Sequence, residues 1–145
     1  MKQEDMLKLD RQLCFPLYAA SRKVINKYRP FLKPLGLTYT QYISLMVLWE
    51  HHRVSAKDLG QVLHLDSGTL TPLLKGLEKK GLITRHRSDQ DERLLIIELT
   101  PEGEALKEKA AKVPPQMAAC VRLEPEEAAE LHRLLYKLMD MPTLE

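Results

Sequence analysis

Cysteine is scarce in this chain, with two among 145 residues, Cys14 and Cys120. They lie far apart, and neither has a histidine pair beside it, so no zinc spacing exists and no metal is expected. Long apolar runs are also missing. The longest uncharged stretch, "PLGLTYTQYISLMVLW" from Pro34 to Trp49, contains Gly, Thr, Ser and Gln and is too short to span a bilayer. The opening residues "MKQEDMLKLDRQ" carry charges of both signs, unlike a secretory leader. These absences predict a cytoplasmic protein with no membrane partner. In that compartment a cysteine with a role is reactive rather than part of a structural disulfide. Charge of one sign is not in great excess either. A net charge of +2 hints only weakly at an anionic partner, so the placement of the charge matters more than its sum.

What is present suffices for one folded domain. Hydrophobic residues make up 44% and charged residues 29% of the chain, a balance that describes a soluble globular protein with a real core. Helix signals dominate. From Met6 to about Phe31, apolar residues recur at helical period through Leu13, Leu17, Ala20, Val24 and Tyr28. "RPFLKPLG" ends that helix with two prolines and a glycine. A second helix is expected through "TYTQYISLMVLWEH", capped by Thr38. A short third, "VSAKDLGQVLHL", has Ser55 with Asp58 three residues on, an acidic variant of the capping box. "DSGTLTPLLKGLEKKG" follows almost without a gap, capped by Asp66 or Ser67 and stopped by Gly81.

The period then changes. "LITRHR" and "LLIIELT" are β-rich runs flanking the polar "SDQDE", which predicts a hairpin with a charged tip. Thr100-Pro101 begins a further helix, "PEGEALKEKAAK". After Pro114-Pro115 comes a short segment carrying Cys120. The last helix, "EPEEAAELHRLLYKLMDM", gathers Leu131, Leu134, Leu135, Leu138 and Met139 on one face. Two helices joined by a tight turn and followed by a hairpin form the pattern of a winged helix-turn-helix, in a mainly α chain with a small β wing. The terminal helices carry apolar faces that pack either against a second subunit, making a homodimer, or against each other. The expected division is one domain over residues 1–145. Within it, about 1–36 and 101–145 serve dimerisation, and about 37–100 bind double-stranded DNA.

In a winged helix the second helix of the pair enters the major groove by its early residues. Here those are Asp66, Ser67, Gly68, Thr69, Thr71 and Pro72, with Lys75 one turn on. Small hydroxyl side chains can reach phosphates or base edges, and a threonine methyl can touch thymine. The same residues also serve as plain capping chemistry, and only their place between a capped helix and a basic hairpin favours DNA. That hairpin holds Arg85, His86, Arg87 and Arg93 with Asp89, Asp91 and Glu92. An arginine held by a neighbouring carboxylate suits a narrow minor groove, and a solvated turn is the plainer alternative. Gly76, inside the same helix, costs it up to ~1 kcal/mol relative to alanine.

The run "LGQVLHLDSGTLTPLLKGLEKKGLITRHRSDQDERLLIIELTPEG" resembles the MarR family of dimeric winged-helix repressors. "LDRQLCFPLYAASR", "YRPFL" and "LGLTYTQYISLMVLWE" are similar to its organic-hydroperoxide-sensing (OhrR-type) members. The resemblance runs from Leu9 to Pro115 and more loosely beyond. It implies a repressor, not an enzyme, whose reduced dimer binds a pseudo-palindromic operator. It implies that Cys14 is oxidised by an organic hydroperoxide to a sulfenic acid, held by Tyr28 of "KYRP" and Tyr39 of "LTYTQY". It also maps DNA contacts to Ser67, Thr69 and Thr71, and a wing acid–arginine pair to Asp91 and Arg93. Some members have one such cysteine and need a low-molecular-weight thiol to lock the oxidised state. Others form a disulfide to the partner subunit, and the place of Cys120 matches that arrangement, with a buried bystander as the alternative.

Geometry adds a constraint of its own. Cys14 and Tyr28 lie 14 residues apart, which on a continuous helix is ~21 Å, so they can meet only across a dimer. Pro16 fits a helix only in its first turn, which would put Cys14 at the N-terminal end, where free N–H groups suit an anion. Two rivals stand. A thiol peroxidase using Cys14 would lack any C-x-x-C, and a winged helix would have no purpose in it. A repressor gated by a small phenolic ligand would release DNA without Cys14. No cofactor is expected under any of these readings.

Overall fold

The computed structural model describes residues 2–141. The chain opens with a single turn, α1 (Gln3–Met6), a 3-10 turn at Leu9–Arg11, and the long α2 (Cys14–Leu32). A second 3-10 turn, Lys33–Leu35, leads to α3 (Tyr39–His51), β1 (Arg53–Ser55), α4 (Ala56–Leu63) and α5 (Ser67–Lys79). Then come β2 (Ile83–Arg87), β3 (Leu95–Leu99), α6 (Pro101–Ala110), α7 (Val113–Cys120) and α8 (Pro125–Met139).

The helix starts follow local side-chain chemistry. Thr38 and Gln41 close a reciprocal capping box on α3. Ser55 Oγ accepts the Asp58 N–H at 3.1 Å to start α4. Thr100 Oγ1 accepts the Gly103 N–H at 3.0 Å to start α6, whose first residue is Pro101. Gly81, at φ +76°, takes the left-handed turn that ends the α5 segment, and Leu82 N–H returns to Leu77 O at 3.1 Å.

Two sequence expectations are corrected. The helix expected from Met6 to Phe31 is broken, and its regular part begins only at Cys14. Pro16 then falls in the first turn, where its missing N–H has no helical partner to lose. The sheet has three strands rather than two, in the order β1-β3-β2, all antiparallel. Ile97 of β3 pairs with Val54 on one side and Arg85 on the other. The segment carrying Cys120 is itself a helix, α7, and it packs against α2.

The core gathers Leu45 and Leu48 of α3, Leu59 of α4, Leu74 and Leu77 of α5, Ile83 and Ile97, all at most 2% exposed. Each such side chain contributes roughly 1.5–3 kcal/mol on burial. Leu32, Val113 and Met117 extend this core to the end of α2 and to α7. Trp49 Nε1–H donates to Gly103 O at 2.9 Å inside it, fixing α3 against α6. By contrast α8 has no buried residue. Its Leu131, Leu134, Leu138 and Met139 are exposed, as are Leu13, Phe15, Leu17 and Tyr18 around the start of α2. Among the described residues no helix is long and apolar enough to cross a membrane.

Candidate nucleic-acid interface and cysteine site

The helix read as the DNA-reading element is α5, and its two faces separate cleanly. Leu70, Leu73, Leu74 and Leu77 are buried, while Ser67, Gly68, Thr69, Thr71, Pro72 and Lys75 are exposed. The cap is Asp66 rather than Ser67, and its Oδ1 accepts the Thr69 N–H at 2.8 Å. Hydrogen bonds from the Thr69 backbone, then from its side chain, hold the Asp66 carboxyl below the ordinary aspartate value. It therefore stays ionised and repels phosphate unless a cation or a base donor faces it. Thr71 Oγ1–H donates to Ser67 O at 2.8 Å, which leaves its methyl and lone pairs to face outward. Pro72 lacks an N–H, so α5 forgoes one ladder bond in its first half.

The wing is a turn organised by two side chains. Ser88 Oγ accepts the N–H groups of Gln90 and Asp91 at 3.2 and 3.4 Å. Asp91 Oδ1 accepts from the Arg93 backbone N–H and from its Nε, both at 3.1 Å. These bonds hold the Asp91 carboxyl below its usual value. The Arg93 side chain is 90% exposed, so it is aimed by Asp91 yet open to a ligand. Arg87 Nη1 reaches only Arg93 O, at 3.5 Å.

Arg85 differs from the other wing cations. It makes a two-pronged pair with Glu78 of α5, Nε to Oε2 at 3.2 Å and Nη2 to Oε1 at 3.1 Å. Its side chain is only 20% exposed, and the Glu78 carboxyl is held down by it. Arg85 thus ties the wing to α5. Sequence reading missed Glu78, because nothing in "KGLEKKG" marks one glutamate as the partner of a strand residue.

Cys14 is the first residue of α2 and is exposed; Cys120 closes α7 and is half-buried; both are free thiols. The helix between Cys14 and Tyr28 is unbroken, so the ~21 Å separation along one chain stands. Tyr28 instead meets Tyr39, with ring centroids 4.8 Å apart. Tyr42, which sequence reading did not single out, completes the cluster at 5.9 Å from Tyr28 and 6.4 Å from Tyr39. Its place three residues after Tyr39, on the same helix face, was the available signal. Burial first, and then the neighbouring tyrosines, push the Tyr39 and Tyr42 hydroxyls above the usual value; burial alone does so for Tyr28. All three remain protonated donors near neutral pH. A small cavity of about 230 Å³ opens beside Tyr28 and Tyr39, lined also by Ile25, Asn26, Arg29 and Leu37. Among the described residues no cluster of His, Cys, Asp or Glu could hold a metal ion.

Comparison with known proteins follows the same lines. A family model described as transcriptional regulator SarA/Rot matches residues 26–110. The organic hydroperoxide resistance transcriptional regulator of Bacillus subtilis is 47% identical over 136 residues, covering 94% of this chain and 92% of the relative. Among solved structures, reduced AbfR bound to DNA superposes with a TM-score of 0.81 at 39% identity, covering 96% of this chain and 94% of that one. Overoxidized AbfR bound to DNA gives 0.76 at 40% identity, covering 95% and 99%. Disulfide-formed AbfR gives 0.67 at 36% identity, covering 95% and 97%.

Proposed function

The chain belongs to the MarR-like winged-helix transcriptional regulators, in the group that holds the organic hydroperoxide resistance regulators, and from that premise we propose that it is a peroxide-sensing repressor acting as a homodimer. In the reduced state two copies of α5 enter successive major grooves of a pseudo-palindromic operator. Ser67, Thr69, Thr71 and Lys75 make the contacts, and Arg93 reaches the neighbouring minor groove. Residues 37–100 form the DNA-binding lobe, and the helices on either side of it pair the subunits.

The observation that carries the reading is the position of Cys14. It is exposed, at the first residue of a continuous helix whose other end holds the Tyr28–Tyr39 pair. Antiparallel packing of two such helices would bring each cysteine to the other copy's tyrosines. The Cys14 thiolate attacks the outer oxygen of an organic hydroperoxide, the O–O bond breaks, an alcohol leaves and a sulfenic acid remains. Tyrosine hydroxyls donate to that oxygen. The thiol of Cys120 of the partner subunit then displaces water from the sulfenic acid, and an intersubunit disulfide forms. AbfR is known both reduced and overoxidized on DNA, and separately with its disulfide formed. That contrast supports the disulfide, more than oxidation alone, as the step that releases DNA.

The test is operator binding by fluorescence anisotropy during titration with cumene hydroperoxide, with non-reducing gels alongside. Wild type should release DNA and show a dimer band. Cys14→Ser should stay bound throughout. Cys120→Ser should lose the band and stay bound unless a small thiol is added. Release of Cys14→Ser by peroxide would overturn the reading. The cavity beside Tyr28 and Tyr39 favours one alternative, a repressor gated by a small phenol. Release by a phenol alone, without oxidant, would select it.

A further inference from the structure

Gln41 is buried to 7% exposure, and a carboxamide so placed needs partners. Its Oε1 has two. The Thr38 N–H donates to it at 3.2 Å, closing the capping box at the start of α3. The second donor is Lys80 Nζ, at 2.7 Å, from the cap residue just after α5. The same ammonium also donates to Gly36 O, in the left-handed turn that joins α2 to α3. One cation therefore ties together the end of α2, the start of α3 and the end of α5. Both bonds are charge-assisted, which makes them stronger than ordinary neutral ones.

The packing around this point is tight. Gly76 of α5 faces Gln41, and a Cβ added there would lie 2.8 Å from Gln41 Nε2. A side chain at that position would make the Gln41 carboxamide shift, since its Nε2 is the atom met. The glycine that looks like a mere loss of helix propensity has a packing reason: it lets α5 approach α3 where Lys80 holds them.

We propose that Lys80 is a positioning residue that couples the tyrosine cluster to the DNA-reading helix. The inference rests on the reading of α5 as that helix and of the tyrosines as the sensor. Tyr28 lies in the last turns of α2, ahead of the Gly36 turn, and Tyr39 is the first residue of α3, two before Gln41. A movement of Tyr28 relative to Tyr39 therefore displaces the Gly36 carbonyl relative to Gln41 Oε1. These are the two acceptors of a single ammonium, which cannot follow both. Either the C-terminal end of α5 shifts with one of them or the clamp opens. In both cases α5 changes its setting without any contact between the tyrosines and DNA. Coupling is reciprocal, so DNA bound to α5 must in turn bias the tyrosines.

That reciprocity gives a test without an oxidant. The reduced protein is labelled with 3-fluorotyrosine, and the Tyr28 and Tyr39 fluorine resonances are assigned by Tyr28→Phe and Tyr39→Phe. A duplex enriched by the protein from a random-sequence pool is then added to saturation. Both resonances should move in wild type, stay in place in Lys80→Met, and move again in Lys80→Arg. Lys80 is exposed, so its loss leaves the core intact. Unmoved resonances in wild type, or equal movement in Lys80→Met, would overturn the proposal. Failure of the peroxide-sensing reading shows separately, as wild type that keeps its DNA under cumene hydroperoxide.

Discussion

Asp66 illustrates what a single residue contributes to both folding and chemistry. Its carboxylate satisfies the Thr69 N–H and so begins α5 at a defined place, which sets which hydroxyls face outward. Gly103 acts through the opposite property, having no side chain. Its carbonyl takes the Trp49 indole N–H, and a Cβ there would lie 2.3 Å from Leu82 O and 2.7 Å from Leu99 Cδ1. Backbone cannot yield as a flexible side chain can. Gly103→Ala should therefore cost about 1–3 kcal/mol, seen as a lower midpoint in urea with an unchanged slope. A midpoint equal to wild type would mean that α6 slides freely on the Leu82 strand entry. The caps at Thr38, Ser55, Asp66 and Thr100 were largely legible in the sequence, because capping is a code written within four residues. The Arg85–Glu78 pair and the Lys80–Gln41 contact were not. Their partners are set by how α5 lies against β2 and α3, and any of several neighbouring charges would have read equally well.

At the scale of elements, periodicity identified the long helices and the hairpin but not the boundaries that matter most. The apolar stripe from Met6 onward continues across Leu13, yet the regular helix starts only at Cys14. Pro16 was the local sign of this, since a proline tolerates only the first turn. β1, at three residues, is too short for any alternation to show, and it exists because Ile96 and Ile97 offer it an edge. The start of α2 has a consequence for Cys14. Pro16→Ala removes the restriction on the preceding residues and lets the helix grow toward Leu13 and Gln12. The N–H groups of the first turn would then bond to those carbonyls and no longer stand free at the helix end. We expect Cys14 in Pro16→Ala to react several-fold more slowly with cumene hydroperoxide at fixed pH, followed by intact-protein mass. An equal or faster rate would show that the helix end does not serve the thiol.

For the whole molecule, the distribution of burial is the main argument. The winged-helix elements enclose a continuous core, whereas α8 buries nothing and the stretch around the start of α2 exposes four large apolar side chains, Leu13, Phe15, Leu17 and Tyr18. A fifteen-residue helix with an apolar face turned to water is poorly stable alone. Burial of Leu131, Leu134 and Leu138 against a second copy would recover roughly 1.5–3 kcal/mol for each side chain. The double change Leu131→Glu with Leu134→Glu places two carboxylates where that contact would form, and an unpaired charge buried there costs several kcal/mol. Sedimentation should then find a monomer. Far-UV circular dichroism and the urea midpoint of the core should change little, because α8 contributes no buried residue to it. Operator affinity should fall steeply, since one copy of α5 reads only one half-site. The peroxide-induced disulfide band should vanish with the dimer, although both cysteines remain. A variant that still sediments as a dimer would move the subunit contact away from α8, to the exposed Leu13, Phe15 and Leu17. A monomer that still forms the band would mean that the disulfide needs no stable partner, and the shared sensor would lose its geometric basis.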